Sequence, residues 1–230
     1  MSAGATDATR PRLSRDRVLE AAVALADAGG IGSLTIRSLA QELGVKPMSV
    51  YHYVANKEEI LDGLVDVVFS EVALPSAEGD WREEMTRRAV SARAVLGRHR
   101  WAIGLLESRT SPGPATLRHH DAVLGTLRAA GFSDAMTAHA YALLDSYTYG
   151  FALQEVSLPF EGPDGVGEVA GPIMELMAQG EYPHMVEMAT TYYLQPGYDF
   201  GDEFAFGLDL ILDGLARLLG EQPVSRRRPG

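Results

Sequence analysis

Side chains suited to contact with DNA are concentrated between residues 46 and 57. Met48 is apolar and can meet a thymine methyl group. The hydroxyl and N–H groups of Ser49, Tyr51, His52 and Tyr53 suit phosphate oxygens. Residue types in this pattern indicate recognition of a duplex, because a protruding helix that carries them fits the major groove.

Two short helices are predicted to position these side chains. Thr35 is placed to cap the first helix, and Gly44 supplies the left-handed residue that ends it. Pro47 has the fixed φ that suits the first position of the next helix. Only Val50 and Val54 give that second helix an inward face, so residues 48, 49 and 52 point outward. The spacing predicts a helix-turn-helix over residues 34 to 57.

These residues carry a resemblance to a known family. The run Leu-Thr-x-Arg-x-Leu-Ala-x-x-Leu-Gly-Val, then Ser-Val-Tyr-His-Tyr-Val and Asn-Lys-Glu-Glu-Ile-Leu, resembles the TetR family of bacterial repressors over residues 14 to about 66. The resemblance implies an all-α fold, with a three-helix head that contains the motif and a larger helical body for ligand binding and dimerisation. It also implies a homodimer on a palindromic operator, released by a small-molecule inducer.

The resemblance assigns DNA contacts position by position. Thr35 and Arg37 would touch the DNA backbone or a groove edge, and Lys57 would clamp a phosphate. Residues 47 to 49 would set the operator sequence, and His52 is an addition to the family pattern. The full set is Thr35, Arg37, Lys46, Pro47, Met48, Ser49, Tyr51, His52, Tyr53 and Lys57.

The charge distribution supports a DNA-facing head. The chain has a net charge of −11, but residues 10 to 57 hold seven Lys and Arg against four Asp and Glu, a net of +3. Residues 61 to 230 hold 13 basic and 24 acidic residues, a net of −11. Such asymmetry fits a basic reading head on a body that phosphate repels.

Composition excludes several classes of function. The chain has no cysteine, which excludes disulfides and thiolate catalysis. No signal peptide or membrane span is predicted, so we expect a cytoplasmic protein. The pair His119-His120 is adjacent on a helix and unsuited to joint ligation, and no HExxH, Gly-x-Ser-x-Gly or phosphate-loop motif occurs. We therefore expect no enzyme activity, no metal and no cofactor.

The body is predicted to hold a ligand between its helices. Large, adaptable side chains at helical positions can surround a small, mostly apolar molecule, although such residues are more often ordinary core. The candidate ligand-binding residues are Trp101, Leu105, Tyr147, Phe151, Met174, Met177, Met188 and Tyr192. Parts of the body resemble the tetracycline-repressor branch, but no convincing histidine and glutamate match its drug-bound magnesium site, so neither tetracycline nor magnesium is carried over.

Two long helices are predicted to form the dimer interface. Residues 135 to 156 form the longest helical stretch of the body, and the last helix runs from 202 to 219. The last helix has a heptad-like stripe, which a second apolar edge widens, so one side can pack internally and the other against a partner. The stripe is Phe204, Leu208, Ile211, Leu215 and Leu218, and Leu212 and Leu219 widen it.

The predicted organisation has four parts. Residues 1–12 and the basic residues 222–230 are expected to be disordered tails, residues 13–58 the DNA-binding domain, and residues 59–221 the ligand-binding and dimerisation domain. The helix that starts after Asn56 is expected to be the only continuous link between head and body. Two other functions stay open: a small-molecule-binding protein or enzyme with a vestigial helix-turn-helix, and a regulator controlled by a protein partner.

Overall fold

The computed structural model describes residues 12–106, 108–159, 171, 174–177, 180 and 182–221. No strand occurs in these residues, so the predicted all-α class is confirmed. Both predicted tails, except for Arg12, lie outside the described residues. The described chain forms two compact units.

The first unit begins with four helices. They are α1 (Arg15–Gly29), α2 (Ile36–Leu43), α3 (Pro47–Val50) and α4 (Lys57–Glu71), and a 3₁₀ turn, Ile31–Ser33, joins α1 to α2. The hydroxyl of Ser14 accepts a hydrogen bond from Arg17 N (3.2 Å) and caps the start of α1. Gly30, with φ of 71°, ends the same helix.

A single apolar core joins these helices. Val18 and Ala22 of α1, Leu39 of α2, Val50 of α3 and Leu64 of α4 are all fully buried in it. This shared core holds α3 in place, since α3 is four residues long and buries too little to be stable alone.

A second segment, residues 98 to 117, belongs to the same unit and is fastened to one side of α4. Arg109 Nε and Nη2 donate to Asp62 Oδ1 (2.7 Å) and Glu58 Oε2 (2.6 Å). One turn further along α4, Asp66 Oδ1 accepts from Thr116 N (2.8 Å). These α4 carboxylates are spaced four residues apart and therefore form one acidic stripe that holds the segment.

The second unit contains the remaining helices. They are most of α5 (Trp81–Arg98), most of α6 (Pro114–Ala129), α7 (Asp134–Ser157), α8 (Pro183–Met188), which continues as a π-helical turn over Ala189–Tyr193, and α9 (Glu203–Glu221). Residues 174–177 are also helical. Ser133 caps α7 by accepting from Met136 N (3.3 Å).

The core of the second unit lies between α5, α6, α7 and α9. Tyr147 stacks on Phe204 (5.5 Å between centroids), and its hydroxyl donates to the carbonyl of Phe204 (2.9 Å). Gly207 permits this approach, because a Cβ there would lie 2.3 Å from the Tyr147 hydroxyl oxygen. The stripe predicted on α9 is largely internal: Phe204, Leu208, Leu212 and Leu215 are buried, Ile211 and Leu219 are half-buried, and Leu218 is exposed.

The two compact units do not follow the predicted boundary at residues 58 and 59. The first unit contains the described residues up to Glu71 together with Arg98–Leu117, and the second contains Val72–Gly97 and the described residues from Arg118 onward. The chain crosses between these two units three times, and the single continuous link expected between the predicted head and body stays a prediction. The first unit extends beyond residue 58 because Ile60, Leu61 and Leu64 of α4 are buried in its core.

Candidate nucleic-acid interface and ligand site

The start of α2 is held by a reciprocal pair of hydrogen bonds. Ser38 N donates to Thr35 Oγ1 (3.0 Å), and Thr35 N donates to Ser38 Oγ (2.9 Å). This capping box confirms Thr35 as the N-cap, and it adds Ser38, which the sequence analysis had not assigned. Arg37 lies between the two and is exposed. The box fixes the start of α2, the helix that precedes α3.

The turn between α2 and α3 has the predicted geometry. Gly44 has φ 66° and ψ 35°, the left-handed conformation, and its N–H contacts the carbonyls of Ala40 and Gln41. Three residues later Pro47 occupies the first position of α3. The short connection places α3 across α2, which is the geometry of a helix-turn-helix.

The α3 region is buried on one side and exposed on the other. Val50 and Val54 are 0% and 1% exposed, whereas Met48 is 71% exposed and Tyr51 44%. Ser49 is half-buried and His52 is exposed. The helix itself is one turn long, so residues 51 to 53 continue as a hydrogen-bonded turn, in which Tyr53 N donates to Val50 O (2.9 Å).

The next helix begins beside this turn with its own cap. Glu59 N donates to Asn56 Oδ1 (2.9 Å), and Glu59 Oε2 accepts from Ala55 N (2.6 Å). The glutamate therefore reaches one residue further back than in a standard capping box. Lys57, the first residue of α4, is exposed next to the cap. Tyr53 is half-buried and packs against the core of the unit.

The predicted DNA-contact set thus occupies consecutive elements: the start of α2, all of α3 with the turn after it, and the start of α4. Arg37, Lys46, Pro47, Met48, Tyr51, His52 and Lys57 are exposed there, as is Thr35, whose hydroxyl serves the cap. Ser49 and Tyr53 are the half-buried members. Their individual contacts with DNA stay predictions.

The predicted ligand set does not share one compact unit. Trp101 and Leu105 belong to the first unit, where both pack against its core and Trp101 Nε1 donates to Asp27 Oδ1 (2.6 Å). Tyr147 and Phe151 take part in the aromatic core of the second unit. Met177 is buried and Met174 half-buried, whereas Met188 and Tyr192 are 41% and 47% exposed. A common binding role for these residues stays a prediction.

A polar cluster that the sequence analysis did not assign lies inside the second unit. Arg88 of α5 is 1% exposed, and its Nη2 lies 2.5 Å from Oδ1 of Asp145 on α7. Arg88 Nε donates to Nε2 of His119 on α6 (3.2 Å), and Nη2 also donates to the hydroxyl of Tyr149 (3.4 Å). The sequence does not single out Arg88 as buried, because it is one of several arginines in α5 and arginine is mostly exposed in proteins.

The electrostatics of this cluster follow from burial. Burial alone lowers the pKa of the Arg88 guanidinium, but Asp145 and Tyr149 more than offset it, so the pKa is raised. For His119, desolvation is the largest cause and the Arg88 charge the next, and they lower the pKa to about 3. The hydrogen bond from Arg88 Nε requires His119 Nε2 to be an acceptor, which agrees with a neutral imidazole at pH 7.

The depressed pKa of His119 makes stability depend on pH. Below the unfolded value of 6.5 the unfolded chain takes up a proton that the folded chain refuses down to about pH 3. The neutral His119 therefore costs no stability above pH 6.5. Below that pH, the free energy of unfolding decreases by about 1.4 kcal/mol per pH unit until the pH reaches about 3. We expect His119→Gln to reduce that slope in urea titrations at pH 6.5, 5.5 and 4.5. The exposed His139→Gln is the control, and an unchanged slope in His119→Gln would contradict the assignment.

Among the residues that the structure describes, no group of three or more His, Asp or Glu is arranged to hold a metal ion. Within the same residues, no helix is long and apolar enough to cross a membrane.

The helix-turn-helix with its exposed reading turn defines a DNA-binding regulator, and comparison with known proteins identifies its family. Residues 18–64 match the model of bacterial regulatory proteins of the tetR family, and residues 74–219 match the tetracyclin repressor-like C-terminal domain. The chain therefore belongs to the TetR family of transcriptional repressors, which bind operator DNA as dimers and respond to small-molecule ligands. The predicted family and the predicted class of function are confirmed.

Individual relatives cover nearly the whole chain. The HTH-type transcriptional repressor DrrR1 of Streptomyces coeruleorubidus is 35% identical over 93% of this chain and 81% of its own. The class A tetracycline repressor protein from transposon 1721 of Escherichia coli is 30% identical over 90% of this chain and 92% of its own. The structure of ActR from Streptomyces coelicolor in complex with actinorhodin is 28% identical, with a TM-score of 0.75 over 91% of this chain and 100% of its own.

Proposed function

We propose that this repressor reads its operator with the α3 turn and that a small molecule bound inside the second unit releases it. The observation that carries the proposal is the opposite exposure of residues two positions apart, with Met48 71% exposed and Val50 fully buried. A turn with one side buried in the protein core and the other side exposed to solvent is suited to insertion into the major groove. The same residues would be the reading surface in both subunits of the dimer.

Release requires that the ligand prefer one state of the dimer. Two α3 turns read half-sites about one DNA turn apart, roughly 34 Å, only if the heads keep that spacing. We infer that the ligand binds more tightly to a state in which the spacing is lost, because a ligand with equal affinity for both states shifts nothing. The acidic stripe of α4 supports this view, since it joins residues 98 to 117 to the head and so gives the chain three crossings that can transmit the change.

Substitutions of single contact residues should separate effects on overall DNA affinity from effects on sequence preference. An operator is first selected from random duplexes with the purified protein, and binding is then measured by fluorescence anisotropy. We expect Lys57→Ala and Tyr51→Ala to weaken binding by about 10-fold on every sequence, since a phosphate contact carries no sequence information. Ser49→Ala is expected to change the rank order of half-site variants. Equal losses on all variants for Ser49→Ala would place it among the backbone contacts instead.

The dimer is proposed to form through α7 and α9. Both carry large apolar side chains that their own subunit leaves exposed: Leu143 and Leu153 on α7 are 46% and 52% exposed, and Phe206 and Leu210 on α9 are 65% and 58% exposed. Phe206 and Leu210 lie one turn apart on the same side of α9. They were not part of the predicted stripe, which is mostly buried in the subunit's own core.

A charge on this face should separate the subunits. We expect Leu210→Glu to convert the dimer into a species of 24.8 kDa in light scattering at micromolar concentration, because a carboxylate buried between two subunits has no partner. Val90→Glu, which replaces an exposed apolar residue on α5, should leave the mass unchanged. A dimer that persists in Leu210→Glu would exclude α9 from the interface.

We propose that the protein catalyses no reaction. We also propose that it lies in the cytoplasm with the DNA that it regulates. A vestigial helix-turn-helix is disfavoured because its reading residues remain exposed and capped for contact. Regulation by a protein partner would be indicated if no small molecule changed operator affinity while a protein did.

A further inference from the structure

The buried Arg88–Asp145 pair has unused hydrogen-bonding atoms on both of its members. Arg88 uses Nε on His119 and Nη2 on Asp145 Oδ1 and Tyr149, but its Nη1 is buried with no hydrogen-bond partner among the described residues. Both carboxylate oxygens of Asp145 are likewise buried without a hydrogen-bond partner among the described residues, and Oδ1 takes part only in the ion pair with Arg88 Nη2. One ion pair therefore offers a donor on α5 and an acceptor on α7.

Unsatisfied groups of this kind are unusual inside a protein. A buried donor or acceptor without a partner loses its hydration and gains nothing in exchange, and the loss is larger for charged groups. The contrast with Arg93 and Glu155, on the same two helices, shows that the fold can satisfy such a pair. Arg93 Nε and Nη2 donate to the two oxygens of Glu155, with 2.9 Å between Nε and Oε2.

The charge of the cluster decides what kind of group fits. Arg88 and Asp145 cancel, and His119 is neutral at pH 7 because its pKa is depressed to about 3. An anion or cation added to this interior would remain uncompensated in a medium of low dielectric. An uncharged group that presents an acceptor to Arg88 Nη1 and a donor to Asp145 Oδ2 satisfies both atoms and adds no charge.

We propose that the Arg88–Asp145 pair is the polar recognition point for the inducer, and that it selects an uncharged ligand with a hydrogen-bond donor adjacent to a carbonyl oxygen. A phenol beside a ring carbonyl and a primary amide both present this arrangement. The inference rests on the proposed function, since it assumes that the second unit holds the inducer. Tyr149 is half-buried and its hydroxyl accepts a hydrogen bond from Arg88, so it connects the pair to the surface of the unit.

A matched set of planar probes tests the selectivity. The probes are 1,8-dihydroxyanthraquinone, in which each hydroxyl adjoins a carbonyl, 1,8-dimethoxyanthraquinone, which lacks the donors, and anthraquinone-2-sulfonate, which is an anion. Dissociation constants are measured by quenching of intrinsic fluorescence on the full-length protein. We expect the dihydroxy probe to bind about 10- to 100-fold more tightly than either of the others, which corresponds to the one hydrogen bond to the Asp145 carboxylate that the other two probes cannot donate.

Variants then locate the selectivity. Arg88→Met with Asp145→Leu removes the donor and the acceptor together and replaces the ion pair by apolar groups of similar volume, a change that folds normally in other proteins. This double variant should bind all three probes within about threefold of one another. Arg93→Met with Glu155→Leu is the matched control on the same helices, and it should keep the preference of the natural protein.

The outcomes separate this inference from the proposed function. A preference that survives in the Arg88→Met, Asp145→Leu variant, or the absence of any preference in the natural protein, would overturn the inference and indicate that the pair binds buried water only. Operator release by any probe, measured in the same samples, would still support a ligand-responsive repressor. If no probe or metabolite extract alters operator binding, the proposed induction fails, whatever the probe preference.

Discussion

Met48→Glu is expected to lower operator affinity by at least about 100-fold without lowering the stability of the protein. The side chain of Met48 is 71% exposed, so a glutamate there remains hydrated in the free protein and disturbs no packing. On the operator, each subunit of the dimer would place a carboxylate against the duplex, and juxtaposed like charges cost several kcal/mol. Because the repulsion is electrostatic, the defect should be largest at low salt.

The measurement is anisotropy on the selected operator at two salt concentrations, together with thermal unfolding. Ala24→Glu is the matched control, because it adds the same charge at an exposed position of α1 in the same unit. It should reduce affinity by no more than about threefold. If Met48→Glu bound the operator as tightly as Ala24→Glu, the reading surface would have to lie away from the α3 turn.

The head could be predicted from sequence because its signals are local. Thr35, Gly44 and Pro47 each determine the backbone within a few residues, and the structure places them as the cap, the left-handed turn and the first helical position. Burial of Val50 and Val54 also follows from helical periodicity alone. The hydroxyl of Ser38 was missed because the capping-box pattern expects glutamate or glutamine at that position, and a serine there does not match it.

The body was predicted less completely because its features depend on contacts between distant residues. The return of residues 98 to 117 to the head depends on Arg109 reaching α4, 47 positions earlier in the chain for Asp62. Similarly, Arg88 has two arginine neighbours in its helix region, Arg87 and Arg93, that differ from it only in what they face. Arg87 is exposed and Arg93 is partly so, whereas Arg88 meets Asp145 and His119 from two other helices. Periodicity identifies an inward position but favours an apolar residue there, so a buried ion pair contradicts the pattern that would locate it.

Arg88→Met by itself is expected to destabilise the protein by about 3–5 kcal/mol, since it leaves the Asp145 carboxylate buried without a counter-charge. Arg88 is 1% exposed, and its side chain reaches Asp145, His119 and Tyr149 on two other helices. His119 also loses the donor that its Nε2 accepts from, which adds about 1 kcal/mol. The free energy of unfolding is measured by urea denaturation of the dimer at a fixed protein concentration and pH 7, because dimer stability depends on concentration.

The second substitution distinguishes an uncompensated charge from lost packing. Adding Asp145→Leu removes the carboxylate, and we expect the double variant to recover all but about 1–2 kcal/mol of the loss, since an apolar pair of similar volume substitutes well for a buried ion pair. Packing defects would instead add, and the double variant would then be less stable than either single variant. The corresponding cycle with Arg93→Met and Glu155→Leu should show smaller effects, about 1 kcal/mol, because both side chains are partly exposed and solvent screens the charge that remains. Recovery to within about 1–2 kcal/mol at Arg88 and Asp145, together with loss of probe selectivity, would mean that the pair is retained for what it binds rather than for the stability of the fold.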